Sequence, residues 1–468
     1  MARIAPLRDE SPVASRAEVG EAFVKRTTLT LMTAIAFTVA SAVASMAAKI
    51  ERATTPGGIE FWHVRDDTLP MISMEFAVRG GSAQDPADKA GTASMMAALL
   101  DEGAGEFDAP AFQQRLEERA IVLSFNAHRD TARGSLKTLT ENSDQAFGLL
   151  NLALTAPRFD PEAVERIRAG TLASIRRRTT DPGDLAHDRW FARAFPNHPY
   201  GTPQRGSLES VAKVEIADLR AMHRDTFARD NLKVATIGAM DASAAARLVD
   251  RAFSGLPAKS KLATVPDAAP QGVGERNVIE MDVPQTVIMF GGPGLRRADA
   301  DFIPAYVLNH ILGGGSFSSR LYREVREKRG LAYSVYSYLV PMDHAGLFMG
   351  GVSTRNDRAA ESLSIILGEI REIAVKGPTA EELEKAKSYL IGSFPLRFDS
   401  SSKIASQLLE IQLDNLGIDY IDRRNSLIEA VTAEDVKRAA NRFLTDPKML
   451  VTLVGRPDPR PAEPATRG

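Results

Sequence analysis

Two stretches of this chain, far apart in sequence, match each other without a gap. Lys137 to Leu154 aligns on Gly350 to Leu367 at an offset of 213 residues. Leu139 meets Val352, Asp144 meets Asp357, Ala146 meets Ala359, Leu150 meets Leu363 and Leu154 meets Leu367. Each stretch reads as a strand running into an amphipathic helix. Self-similarity of this kind marks a supersecondary design used more than once. Each half also opens with strands, followed by a helix that ends in glycines: Gly103-Ala104-Gly105 in the first and Gly313-Gly314-Gly315 in the second. Such glycines are common helix caps and carry little weight alone.

With 468 residues the chain is too long for one ordinary domain. Residues 256–275 contain Val265-Pro266-Asp267-Ala268-Ala269-Pro270 and show no hydrophobic periodicity, so they read as an exposed, flexible linker. The predicted domains are therefore 45–255 and 276–455, with a Pro-rich tail at 456–468 that has the composition of a disordered segment. Ile72, Met74, Phe76 and Val78 alternate with Ser73, Glu75, Ala77 and Arg79, the period of a strand with one buried face. Helical patterns cover 88–101, 110–119, 143–155 and 161–179. Strands come in adjacent pairs and helices in runs. The predicted fold class is α+β: two homologous α/β-sandwich halves, each a mostly antiparallel sheet with helices on one face, enclosing a cleft.

Lys25-Arg26 precede an uncharged apolar run from Leu29 to Ala44 that closes with Ala42-Val43-Ala44. That is the layout of a secretory signal, cut after Ala44 or Ala47. Residues 1–44 are read as a signal peptide and the protein as exported to the periplasm. The alternative is an inner-membrane anchor at 29–48, just long enough to span a bilayer. Residues 1–23 are long for the start of a signal, which suggests initiation near Val24.

The residue inventory excludes several chemistries. There is no cysteine, so no disulfide, thiolate metal site or Cys nucleophile. A formal charge of -2 gives no bias toward nucleic acid. The histidines are His63, His128, His187, His198, His223, His310 and His344, and no two are closer than eleven positions. No His pair can therefore grip a metal from one helix. A Gly-x-Ser-x-Gly elbow is absent too.

Three further stretches carry a resemblance. They are Val78-Arg79-Gly80-Gly81-Ser82-Ala83-Gln84-Asp85-Pro86, then His198-Pro199-Tyr200-Gly201 with Gly206 following, then the long run from Ser319 to Val335 that contains Arg326-Glu327-Lys328-Arg329-Gly330-Leu331-Ala332-Tyr333. In this order they resemble the insulinase/pitrilysin family of zinc peptidases, across about Gly57 to Gly455. The resemblance implies where a zinc site would lie. Active members carry His-x-x-Glu-His on a helix, two His at i and i+4 holding zinc and the Glu activating its water. Here Ser94 and Ala98 stand at the His positions, Ala97 at the Glu position, and Ser174 at that of the third ligand, a Glu. The chain is thus expected to hold no metal and to have no hydrolytic activity alone.

The resemblance also implies that Arg326 and Tyr333, seven residues apart, bind substrate. A guanidinium and a phenol can donate to a substrate carbonyl or a developing oxyanion at the cleft. Arg320, Arg323 and Arg329 are weaker candidates. Gly313 to Ser316 reads either as a loop facing substrate or as a helix cap. His198 reads as a packed turn residue. The expected partners are a zinc-bearing homologous peptidase subunit, forming a heterodimer, and an extended peptide; the cofactor, zinc, belongs to that partner. The alternative is a structural or peptide-binding scaffold with no part in proteolysis.

Overall fold

Strands form where apolar and β-branched residues dominate, and they build two sheets of one design. In the computed structural model, which describes residues 49–444 and 448–458, the first sheet contains β1 (Ile50–Thr54), β2 (Glu60–Arg65), β3 (Met71–Arg79), β4 (Val122–Ala127), β5 (Thr131–Leu139) and β6 (Leu232–Gly238). Its order is β1-β2-β6-β3-β5-β4. The second contains β7 (Arg276–Glu280), β8 (Gln285–Pro293), β9 (Ala332–Pro341), β10 (Gly346–Arg355) and β11 (Leu450–Gly455), in the order β7-β11-β8-β10-β9. β2 pairs with β6 in parallel and β7 with β11 in parallel; the other pairs are antiparallel. Strand for strand, the second sheet repeats the first from β2 onward.

The repeat is real, but its register differs from the gapless sequence match. Phe76 pairs with Gly134 in the first sheet and Phe290 with Gly350 in the second. Both glycines are required by the phenylalanine: an added Cβ would lie 2.3 Å from a ring carbon of Phe76, or 2.2 Å from one of Phe290. Gly134 is therefore equivalent to Gly350, where the match had Lys137. The slip is three residues. On a helix it leaves an apolar stripe nearly in phase, whereas on a strand it turns every side chain to the opposite face. The buried Phe147, Leu150 and Leu154 thus correspond to the buried Leu363, Ile366 and Ile370.

Each half lays its own helices on one face of its sheet. The first half packs Phe61, Ile72, Met74 and Phe76 against helices that include Ser143–Thr155 and Ala242–Phe253. The second packs Ile288, Phe290 and Phe348 against Ala359–Lys376 and Ala433–Phe443. The opposite faces are covered by exchange. Helix Pro182–Ala194 of the first half carries Trp190 and Phe191 onto Met289, Met349 and Leu450 of the second sheet. Helix Ser401–Leu413 of the second half carries Leu408, Leu409 and Leu413 onto Trp62, Ala77 and Ile237 of the first. Ser73 and Ala77, expected on an open face, are buried for this reason.

Residues 256–275 form no helix or strand, but they are not a free tether. Lys261 N donates to Asp225 O at 2.8 Å, Ala268 N to His344 O at 2.9 Å and Gln271 N to Ala194 O at 2.7 Å. The segment is a strap bonded to both halves. The helix expected over 88–101 is shorter, Thr92–Ala97. Gly91 precedes it at φ 97, a left-handed conformation outside the helix. After Ala98 the chain leaves the helix in a series of turns, with Leu99 and Leu100 both in the core. The signal-peptide and anchor readings, and residues 459–468 of the tail, lie outside the described residues. Among those described, no helix is long and apolar enough to cross a membrane.

Candidate functional site

Arg326 sits on a π-helical turn, Tyr322–Glu327, which carries the chain into β9. Such turns are rare and concentrate at functional positions. Gly330, at φ 60, reverses the backbone after the turn, with its N–H donating to Arg326 O at 2.9 Å. The reversal brings Tyr333 back beside Arg326, whose Cζ lies 4.6 Å from the Tyr333 ring centroid. Tyr322 and Phe317 add rings at 4.8 and 5.9 Å, and the guanidinium donates to the Tyr322 hydroxyl. Tyr333 is 80% exposed and Phe317 71%. The result is a cation fenced by aromatic faces and open to solvent. Tyr333 and the exposed Tyr336 stand on β9, an edge strand of the second sheet.

The neighbouring arginines have other duties. Arg320 is buried and makes a two-pronged ion pair with Glu382 at 2.8 and 2.6 Å, plus a bond to Gly377 O. Glu324 accepts from Lys328 at 2.7 Å, Arg329 at 2.9 Å and Arg323 at 3.3 Å. Burial alone would raise its carboxyl, but these three cations hold it down to about 2. Arg320, Arg323 and Arg329 therefore brace the turn. Among the described residues, Arg326 alone of the four has no carboxylate partner. Gly313 is not a simple cap: an added Cβ would lie 2.5 Å from Ser337 Oγ, so the glycine lets this segment press against β9. Beyond it, the chain presents Phe317 to Arg326. Phe317 and Tyr322 were not singled out from sequence; the Tyr322/Arg326 spacing of four was the available signal.

The four positions at which the sequence resemblance implies a metal site form a different arrangement. Ser94 lies on helix Thr92–Ala97; Ala97 is buried and Ala98 closes the helix. The Ser94 hydroxyl donates to Gln204 O at 2.8 Å, and Ser174 Oγ accepts from Arg205 at 3.2 Å. The segment Gln204-Arg205 thus bonds to both serines. Two hydroxyls, two methyl groups and a guanidinium cannot hold zinc. Among the described residues no group of three or more His, Asp and Glu is placed to bind a metal ion. The fit fails, and no chemical step here runs through a metal.

Between the halves lies a polar cleft of about 370 Å³, whose lining includes Arg79, His128, Arg133, Asp343, Glu410 and Asp414. Arg79 pairs with Asp343 and Arg133 with Glu410 across it. Burial pushes the Asp414 carboxyl up to about 6. Arg326 and Tyr333 are not among the residues that line this pocket: Tyr338, Val340 and Pro341 of β9 reach it, while Tyr333 stands exposed at the other end of the strand. His198 is a turn residue, its Nδ1 accepting from Tyr200 N at 3.1 Å and its Nε2 donating to Pro266 O at 3.0 Å. Tyr200 in turn donates to Asp130 at 2.7 Å and accepts from His344 N at 3.1 Å, so this motif ties the halves together.

A duplicated α/β fold of this topology, with hydroxyls and methyl groups at Ser94, Ala97, Ala98 and Ser174, where the sequence resemblance implies a metal set, points to a peptidase-like protein. The comparisons agree. The insulinase (peptidase family M16) profile matches residues 64–207, and the peptidase M16 inactive-domain profile matches 213–390. The chain is 30% identical over 335 residues to the non-peptidase homolog YmxG of Helicobacter pylori, covering 71% of this chain and 77% of that protein. It is 28% identical over 407 residues to an uncharacterized zinc protease of Streptomyces coelicolor, 84% and 87% of the two chains. A crystal structure of a peptidase M16 inactive domain from Pseudomonas fluorescens superposes with a TM-score of 0.83 at 30% identity, covering 89% of this chain and 100% of that one. This chain belongs to the insulinase (M16) peptidase family, as a non-catalytic member.

Proposed function

We propose that this chain is the substrate-binding subunit of a heterodimeric insulinase-type zinc peptidase, exported to the periplasm. It closes the chamber of a zinc-bearing homologue and presents Arg326 and Tyr333 to an extended peptide. The partner supplies zinc, the attacking water and the general base. One observation carries this reading: among the described residues, Arg326 alone of these neighbouring arginines is left without a carboxylate, and it is held beside an exposed Tyr333. A guanidinium spare of ion pairing, next to a phenol, suits a peptide carbonyl that gains charge during hydrolysis. The unpaired edge of β9 beside them suits a peptide that adds as a strand.

The test is reconstitution. The purified chain alone should cleave no peptide, and addition of a homologue bearing His-x-x-Glu-His should produce hydrolysis that neither shows alone. A second reading, a scaffold of the same fold without a role in proteolysis, draws on the non-peptidase name of the Helicobacter pylori relative. It predicts that Arg326 and Tyr333 can be replaced without consequence.

A further inference from the structure

Beside the serine that replaces the third metal ligand lies a cavity of about 530 Å³ lined by Ser174, Arg177, Arg178, Thr180, Asp181, Asp184 and Arg205. Its charges are not evenly matched. Asp184 pairs with Arg178 at 2.7 Å, and Arg178 also reaches Asp188 at 3.2 Å. Asp181 caps the following helix by accepting from Asp184 N at 2.8 Å. Among the described residues Arg205 has one hydrogen-bond partner, the neutral Ser174 hydroxyl at 3.2 Å. Among the described residues Arg177 has no carboxylate partner either. Basic residues in the last turn of helix Pro161–Arg178 complement its dipole, which accounts for Arg177. It does not account for Arg205, which arrives from a separate loop and is aimed by Ser174.

We propose that this pocket binds an oxyanion, the free carboxylate at the C-terminal end of a peptide. Two guanidiniums from different elements can grip one carboxylate with several parallel N–H donors. The Ser174 hydroxyl, which holds Arg205, can also donate to the bound oxygen. Liquid water takes about 30 Å³ per molecule, so the cavity has room well beyond a lone inorganic oxyanion. A peptide end fits that space better. In this reading Ser174, where the family resemblance implies a metal-binding Glu, serves an anion instead. The inference does not depend on a partner subunit.

The test is calorimetric titration of the full chain alone with Ala-Ala-Phe as free acid, with its C-terminal amide, and with inorganic phosphate. The acid should bind, and the amide and phosphate should bind at least ten times more weakly. Arg177→Ala combined with Arg205→Ala should weaken the acid at least tenfold. Ser174→Glu should do the same while preserving the thermal midpoint, because the new carboxylate fills the pocket and pairs with Arg205. Equal binding of acid and amide, binding of neither, or binding unaffected by a folded Ser174→Glu would overturn the proposal. Phosphate matching the peptide acid would overturn the assignment of the ligand as a peptide end.

Discussion

The guanidinium of Arg326 stands over the ring of Tyr333, with Cζ 4.6 Å from the centroid, because the turn at Gly330 folds β9 back toward the π-helical segment. An exposed cation–π contact contributes about 0.5–1 kcal/mol; here it also limits the rotamers of two long side chains. In a mixture with a zinc-bearing homologue, Tyr333→Phe should keep the ring and lose only the hydroxyl. Arg326→Ala should lose the cation. Each is expected to lower kcat/KM about ten- to a thousandfold, with no loss of thermal stability for Tyr333→Phe and a loss of about 0.5–1 kcal/mol for Arg326→Ala. Peptide hydrolysis rates and melting curves of the two variants check this.

The brace behind that site should be costly to remove. Arg320 is 6% exposed and its charge is matched by Glu382. Glu382→Ala leaves the guanidinium buried and unpaired, an expected loss of about 3–5 kcal/mol. Arg323→Ala, at a half-exposed ion pair, should change stability by no more than about 1 kcal/mol. Urea denaturation of both variants measures the contrast.

Gly134 and Gly350 should respond alike. Each faces a phenylalanine ring too closely for a Cβ, so Gly134→Ala and Gly350→Ala are each expected to cost about 1–3 kcal/mol through overpacking. Gly170, with open space around it, is the control, and Gly170→Ala in its helix should stabilise slightly. Denaturant midpoints of the three variants distinguish these outcomes.

Acid should weaken the fold partly through His223. Burial lowers its pKa from 6.5 to about 4, and its Nε2–H donates to Leu154 O at 3.0 Å. The unfolded chain takes up the proton first as pH falls. The contribution is therefore complete above pH 6.5 and is lost as pH falls from 6.5 through 4, by up to about 3 kcal/mol at 1.36 kcal/mol per unit. His223→Gln can keep the donor but cannot titrate. Stabilities at pH 7.5 and 4.5 should show a smaller acid loss in the variant than in the wild type.

Much of this architecture was legible in particular residues. The alternation from Ile72 to Val78 marks β3, and the stretches beginning at Val78 and Ser319 carry the family resemblance that the family profiles bear out. What escaped is long-range. No local pattern shows that the helix carrying Trp190 crosses to the other half's sheet, or that a helix far along the chain covers Ala77 with Leu408 and Leu409 and sets Ser402 against Ser73. The three-residue slip at Gly134 was hidden because helical periodicity tolerates it. Arg326 could be distinguished from Arg320, Arg323 and Arg329 only once Glu324 and Glu382 were in place around them.

The most direct measurement is peptide hydrolysis by the separately purified chain and its zinc-bearing homologue, alone and mixed, with metal content determined on each. This chain should carry no zinc and hydrolyse nothing alone, and mixing at an equimolar ratio should give strong activity. Stoichiometric zinc in the isolated chain with chelator-sensitive cleavage, or no gain on mixing, would contradict it.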